Sequence, residues 1–247
     1  MKKQSLDKFK RAGEEFEASL DTLLDALDRE HYPLSLLESI SAVLKAPGAP
    51  RGLPLFLQTT ALPAESEFSS RLPVACESML RAFLLIAQLQ IENPGRVEAS
   101  LCSRLSRKYS RAQLLLTADT LFTWPLELVA AERVSAGGPL SAVLAETFGV
   151  NGCLAGLDST EAGVAGLMEL DPFTELGRAL GISDIETSGA AGLAARWLYY
   201  NELAHWFGPD KLIGRRLEEL EAGLSGQAGC GQPQARGMAE LVSFLGR

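Results

Sequence analysis

Apolar residues recur at three- and four-residue steps along nearly the whole of this 247-residue chain, and that period commits it to helices. Phe9, Phe16, Leu20, Leu23, Leu24 and Leu27 share one face of the first segment, with Lys, Glu and Asp between them. Leu34, Leu37, Ile40 and Leu44 make the next helix, bounded by Pro33 and by Pro47-Gly48-Ala49-Pro50. A long helix is expected from about Pro73 to Glu92, closed by Asn93-Pro94-Gly95. Another is expected from about Ser110 to Arg133, with Pro125 kinking it because proline lacks a backbone donor. After Gly137-Gly138-Pro139 the pattern gives helices near Leu140–Phe148, Asn151–Glu169, Pro172–Leu180, Ser188–Phe207 and Asp210–Leu224. Gly226 to Gly237 reads as a loop, and Met238–Leu245 as a last helix. No segment alternates with period two in β-branched residues, so strands are not expected. The expectation is an all-α fold, one domain over residues 1–247, built as a bundle of roughly ten helices.

Composition narrows the function classes. A net charge of −8 argues against a general nucleic-acid binder, which needs a basic surface. The four cysteines, Cys76, Cys102, Cys153 and Cys230, form no C-x-x-C pair, and with only two histidines no Cys/His zinc site is expected. The N-terminus lacks the apolar stretch of a signal peptide, and Glu14, Glu15 and Glu17 are wrong for a transit peptide. The most apolar run, Met79 to Ile91, is interrupted by Arg81, Gln88 and Gln90 and reads as too short for a transmembrane segment. A cytoplasmic protein is expected.

Three ordered stretches say more. The first is Gly48-Ala49-Pro50-Arg51-Gly52-Leu53-Pro54-Leu55. The second is Leu72-Pro73-Val74-Ala75-Cys76, continuing through Leu85 to Asn93, then Gly95-Arg96-Val97 and Ala99-Ser100-Leu101. The third is Ala112-Gln113-Leu114-Leu115-Leu116-Thr117-Ala118-Asp119-Thr120-Leu121. Together they resemble the trans-isoprenyl diphosphate (polyprenyl) synthase family. Its patterns are G-G-K-R-x-R-P-L; L-P-x-A-C-A-x-E-x-x-H-x-x-S-L-I-H-D-D-I-x-D with a following arginine pair; and A-Q-A-x-L-A-G-D-A-L.

The departures are chemical. In the first stretch the lysine is Pro50 and the second arginine Leu53, which leaves Arg51 of three cations. The three aspartates of the first metal motif fall on Leu89, Gln90 and Asn93, while Arg96 remains from the arginine pair. Gly149-Val150-Asn151-Gly152 and Ala155-Gly156-Leu157 resemble the G-x-x-G…G-G-Q region with leucine for glutamine. The K-T segment would lie near Asp171-Pro172, and the second metal motif near His205 to Ile213, where Asp210 alone is a remnant. The family ionises an allylic diphosphate with Mg²⁺ held by facing aspartates, because hard cations need oxygen ligands. Leu89 has no ligand atom, and Gln90 and Asn93 offer only neutral carbonyls. Chain elongation is therefore not expected, nor any metal or cofactor. Arg51, Arg96 and Asp119 are what the resemblance leaves as residual ligand-binding residues.

Other features have competing readings. Arg104, Arg107, Lys108 and Arg111 are spaced as a basic helical stripe, an anion site or a solvated face. Asp21, Asp25 and Asp28 share a face that reads as solvated; Asp158 with Glu161 is a weaker acidic pair. His205 lies among Leu203, Ala204, Trp206 and Phe207 and reads as a core or pocket histidine, while Trp197, Tyr199, Tyr200, Trp206 and Phe207 read as packing a helix interface or lining a prenyl pocket. Cys76 reads as a small apolar filler. The leading expectation is a catalytically inactive polyprenyl synthase-like protein that binds itself, as a homodimer, or an active prenyl synthase. The alternatives are an isoprenoid-diphosphate enzyme with altered, metal-independent chemistry, with His205, Asp119 and Glu92 as candidate acids or bases, and a carrier or sensor of a prenyl diphosphate or lipid.

Overall fold

A computed structural model describes residues 3–29, 32–60, 71–90, 101–131, 139–149, 152–157, 164–186, 188–208, 210–230 and 233–246. These residues form thirteen helices and no strand. The first is the amphipathic α1 (Lys3–Arg29), followed by α2 (Leu34–Leu44), α3 (Gly52–Thr60) and α4 (Arg71–Gln90). Then come α5 (Leu101–Lys108), α6 (Arg111–Leu128), α7 (Leu140–Phe148), α8 (Cys153–Gly156) and α9 (Val164–Met168). The chain closes with α10 (Pro172–Ala179), α11 (Ala190–Phe207), α12 (Lys211–Gly229) and α13 (Pro233–Leu245).

Two long helices organise the packing. α4 lies against α1, α2, α3, α6 and α7, whereas α11 lies against α3, α5, α10, α12 and α13. α3 touches both and closes the gap between them. The buried apolar residues form one continuous cluster from Phe9 in α1 to Val242 in α13. On α1 the expected face is the buried one: Phe9, Phe16, Leu20 and Leu27 are inside, and Leu23 and Leu24 half-buried. Burying each such side chain contributes about 1.5–3 kcal/mol, which outweighs the polar remainder of that helix.

Several boundaries differ from expectation. α4 begins at Arg71, with Pro73 in its first turn, where a missing N–H has no partner to lose. Its 20 residues are long and apolar enough to cross a membrane, unlike the shorter run read from the sequence, but most of that surface is buried inside this fold. α6 stops at Leu128, one turn after Pro125, rather than at Arg133. Of the segment expected as one helix over 151–169, the described residues form α8 and α9, and residues 151 and 158–163 fall outside them. Gly226 to Gly237 is not all loop: α12 runs on to Gly229 and α13 starts at Pro233. Each helical glycine costs about 1 kcal/mol relative to alanine. Burial of Leu220 and Leu224, on a helix packed between α11 and α13, offsets it.

Candidate functional site

The α2–α3 connection turns through left-handed backbone at Gly48 (φ 76°) and again at Arg51 (φ 55°). For a long side chain that conformation costs on the order of 1 kcal/mol, so something must hold Arg51 there. It is held by two carboxylates. Arg51 Nε donates to Glu17 Oε1 of α1 at 2.7 Å, and Nη1 donates to Glu77 Oε1 of α4 at 3.2 Å. The guanidinium also lies over the Phe16 ring, 5.2 Å from its centroid.

From Glu77 the network runs inward. Arg81, one turn on in α4, donates from Nε and Nη2 to the same Glu77 oxygen at 2.9 and 2.7 Å. Arg81 Nη2 is also 2.9 Å from Glu202 Oε2 of α11, close in distance though not aligned as a hydrogen bond. Glu202 Oε1 accepts the backbone N–H of Gly52, the first residue of α3, at 3.2 Å. A Cβ at Gly52 would meet Leu198 at 3.4 Å and Glu202 Oε1 at 3.6 Å, ordinary contact distances that show α3 packed against α11 here. Trp206 closes the inner side, with its ring 5.6 Å from the Arg81 guanidinium carbon. Glu77, Arg81, Glu202 and Trp206 are all fully buried.

Buried charge of this density shifts the protonation of its members. Burial pushes the Glu202 carboxyl up to about 7, although Arg81 pulls the other way. Burial would raise Glu77 as well, but the charges and hydrogen bonds of Arg81 and Arg51 hold it below the ordinary range. Arg81 resists its own burial because Glu202 and Glu77 favour its charge. Half-buried His205 is held down to about 4, first by burial and then by Arg81, Arg104 and Arg51. Its Nε2, Arg81 Nη1, Glu77 Oε2 and the Trp206 indole N–H have no hydrogen-bond partner among the described residues.

These shifts give opposing pH dependences. Glu202 binds its proton more tightly in the folded state, so its contribution is full below about pH 4.5 and is lost as pH rises through 7. His205 binds its proton less tightly when folded, so its contribution is full above 6.5 and is lost as pH falls through 4. The wild-type melting temperature is therefore expected to change little between pH 4.5 and 6.5. Glu202→Gln leaves the His205 effect and should melt higher as pH rises; His205→Asn should do the opposite. Calorimetry across this window checks both slopes.

The other sequence-nominated positions lie elsewhere. Asp119 is exposed on α6, and Arg96, Asn93 and Glu92 fall outside the described residues. Leu89 packs partly buried against the core, and Gln90 is exposed at the end of α4. Asp210 caps α12, accepting from the N–H of Leu212 at 2.7 Å and of Ile213 at 3.4 Å. Asp210→Ala should then cost about 1 kcal/mol in urea unfolding, as loss of a helix cap does. Asp171 caps α10 through Thr174 and pairs with Arg196 of α11 at 3.0 Å. The basic stripe does not lie on one helix: α5 ends at Lys108, and Ser110 caps α6, which carries Arg111. Arg104, Arg107, Lys108 and Arg111 are all exposed. Asp21 pairs with Lys45 across the α1–α2 interface and Asp25 is exposed, while the side chain of Asp28, and Asp158 and Glu161, fall outside the described residues.

The donor set does not fit the magnesium centre that the resemblance implies. No three His, Cys, Asp or Glu side chains are grouped to hold a metal ion among the described residues. The two carboxylates that do face each other across α4 and α11 share one cation, Arg81, which lies between them. Comparison with known family models and with curated proteins gives no match.

Proposed function

We propose that this chain is a non-catalytic protein of isoprenoid-synthase type that acts by binding, either to itself or to an active prenyl synthase whose product length or output it tunes. One observation carries the reading. The space between the helix bearing Leu89 and the helix bearing His205 is occupied by Glu77, Arg81, Glu202 and Trp206, with Arg81 eight residues, or about 12 Å along α4, before Leu89. Arg51, the one cation retained from the diphosphate-gripping segment, is engaged with Glu17 and Glu77. Freeing it for a ligand would take one of its two cations from the buried Glu77 carboxylate. Such a network supports a scaffold more than a substrate pocket.

Glu202 favours a second reading, an enzyme with altered acid–base chemistry, because a carboxyl titrating near 7 suits proton transfer at neutral pH. Its complete burial counts against contact with a substrate. The binding reading is tested by adding the purified protein to an active trans-prenyl synthase and measuring product chain length and rate. A concentration-dependent shift in either is expected. An unchanged product spectrum, together with no co-sedimentation of the two proteins, removes the heteromeric form of the proposal.

A further inference from the structure

A cavity of about 350 Å³ opens between α7, α8 and the stretch that runs from the end of α9 into α10. None of Arg51, Glu77, Arg81 and Glu202 lines it. Its wall carries four carboxylates and no lysine, arginine or histidine: Glu146 of α7, Glu169 and Asp171 ahead of α10, and Glu175 within α10. The volume falls within the range that small-molecule sites occupy. Like charges gathered in one concavity focus their potential, so this space favours a cation and rejects phosphates and other anions.

Acidic side chains alone would amount to a solvated rim, and Glu146, Glu169 and Glu175 are exposed. Thr147 adds something different. It is buried but for 8% of its surface, it lines the cavity, and its hydroxyl makes no hydrogen bond among the described residues. Helical threonines elsewhere return the hydroxyl to the carbonyl four residues back, as Thr117 does to Gln113 and Thr123 to Asp119. The Thr147 oxygen is left to accept from a ligand N–H. Asp171 points the same way. It pairs with Arg196 at 3.0 Å and caps α10, yet burial still holds its carboxyl above the ordinary range. Its charge is only partly compensated, and a cation in the cavity would complete the compensation. Beside it, burial and then Asp171 push the Cys153 thiol up to about 12, so no thiolate is offered to a soft metal. The carboxylates are not grouped to hold a metal ion either, which suits an extended organic cation better than a point charge.

We propose that the cavity walled by Glu146, Thr147, Glu169, Asp171 and Glu175 binds an alkylammonium ligand of the diamine or polyamine class. Its ammonium groups meet the carboxylates and the Thr147 hydroxyl, and its methylenes lie along Leu170. This does not rest on the function proposed above, and no prenyl substrate or prenyl synthase enters its test.

Calorimetric titration of the full chain with 1,4-diaminobutane at low ionic strength tests the assignment. Saturable one-to-one binding is expected, weaker as salt is raised, with no binding of uncharged 1,4-butanediol. Thr147→Val keeps the shape of the side chain, removes its oxygen and should weaken binding by about tenfold. Glu146→Gln/Glu169→Gln, at two exposed positions, should also weaken it by about tenfold. Glu218→Gln, exposed on α12, should leave it unchanged. Nα-acetyl-lysine methylamide, titrated in parallel, separates a free diamine from the lysine side chain of a partner protein, and tighter binding of either supports the site. Circular dichroism on each variant separates loss of binding from loss of fold. Absence of saturable binding by both amines overturns the inference. So does binding that Glu218→Gln weakens as much as the cavity variants do, which would be a diffuse response to the net charge of −8.

Discussion

Arg81→Met is expected to destabilise the protein by about 3–5 kcal/mol in equilibrium urea unfolding, a large share of the stability of an ordinary domain. Arg81 sits between two fully buried carboxylates, 2.7 Å from Glu77 and 2.9 Å from Glu202. Removing it leaves both without their shared cation in a place water does not reach. The loss should be largely recovered in Arg81→Met/Glu202→Leu. There the remaining charges, Glu77 with Arg51, still balance, and apolar volume replaces a desolvated ion pair. Buried ion pairs exchanged whole for hydrophobic groups are often neutral or stabilising, whereas halves of them are not. If the single and the double variant lose the same stability, Arg81 and Glu202 are not coupled as described.

Trp206→Ala is expected to cost about 3–5 kcal/mol, the range for truncating a large buried aromatic. The indole is fully buried and lies beneath Arg81, so it packs the core of α11 and screens the charge network together. Trp206→Phe keeps most of the ring contact and should lose far less. Thermal or urea unfolding of both variants distinguishes these roles. A small effect of Trp206→Ala would mean that the space between α4 and α11 can collapse or rehydrate without loss.

The helical character was readable because proline and glycine punctuate a consistent three-to-four-residue apolar period. The helix expected at Leu140–Phe148 ends where it was placed. Boundaries failed where tertiary packing overrode local preference, as in α12, which continues through Gly226 and Gly229 because its apolar face is buried. The charge network was harder to read. Glu77 and Arg81 stand one turn apart and look like any surface helix pair, except that they interrupt a helix long and apolar enough to cross a membrane. That interruption was the available signal. Their partner Glu202 is far along the sequence, and nothing local marks it as buried. Arg51 was identifiable as the surviving cation, but not its engagement with Glu17 and Glu77, which depends on the turn at Gly48 and Arg51. The basic stripe is split between two helices because the spacing of Arg104 to Arg111 takes no account of the cap at Ser110, which starts α6.

The central claim of the proposal is that Arg51, Glu77, Arg81 and Glu202 form a closed structural network and not a site for reacting diphosphates. Incubating the purified protein with allylic and homoallylic diphosphates, with and without Mg²⁺, tests it most directly, with pyrophosphate release and chain-elongated product measured together. The account predicts neither, in either condition. Release of pyrophosphate with formation of a longer prenyl diphosphate would contradict it.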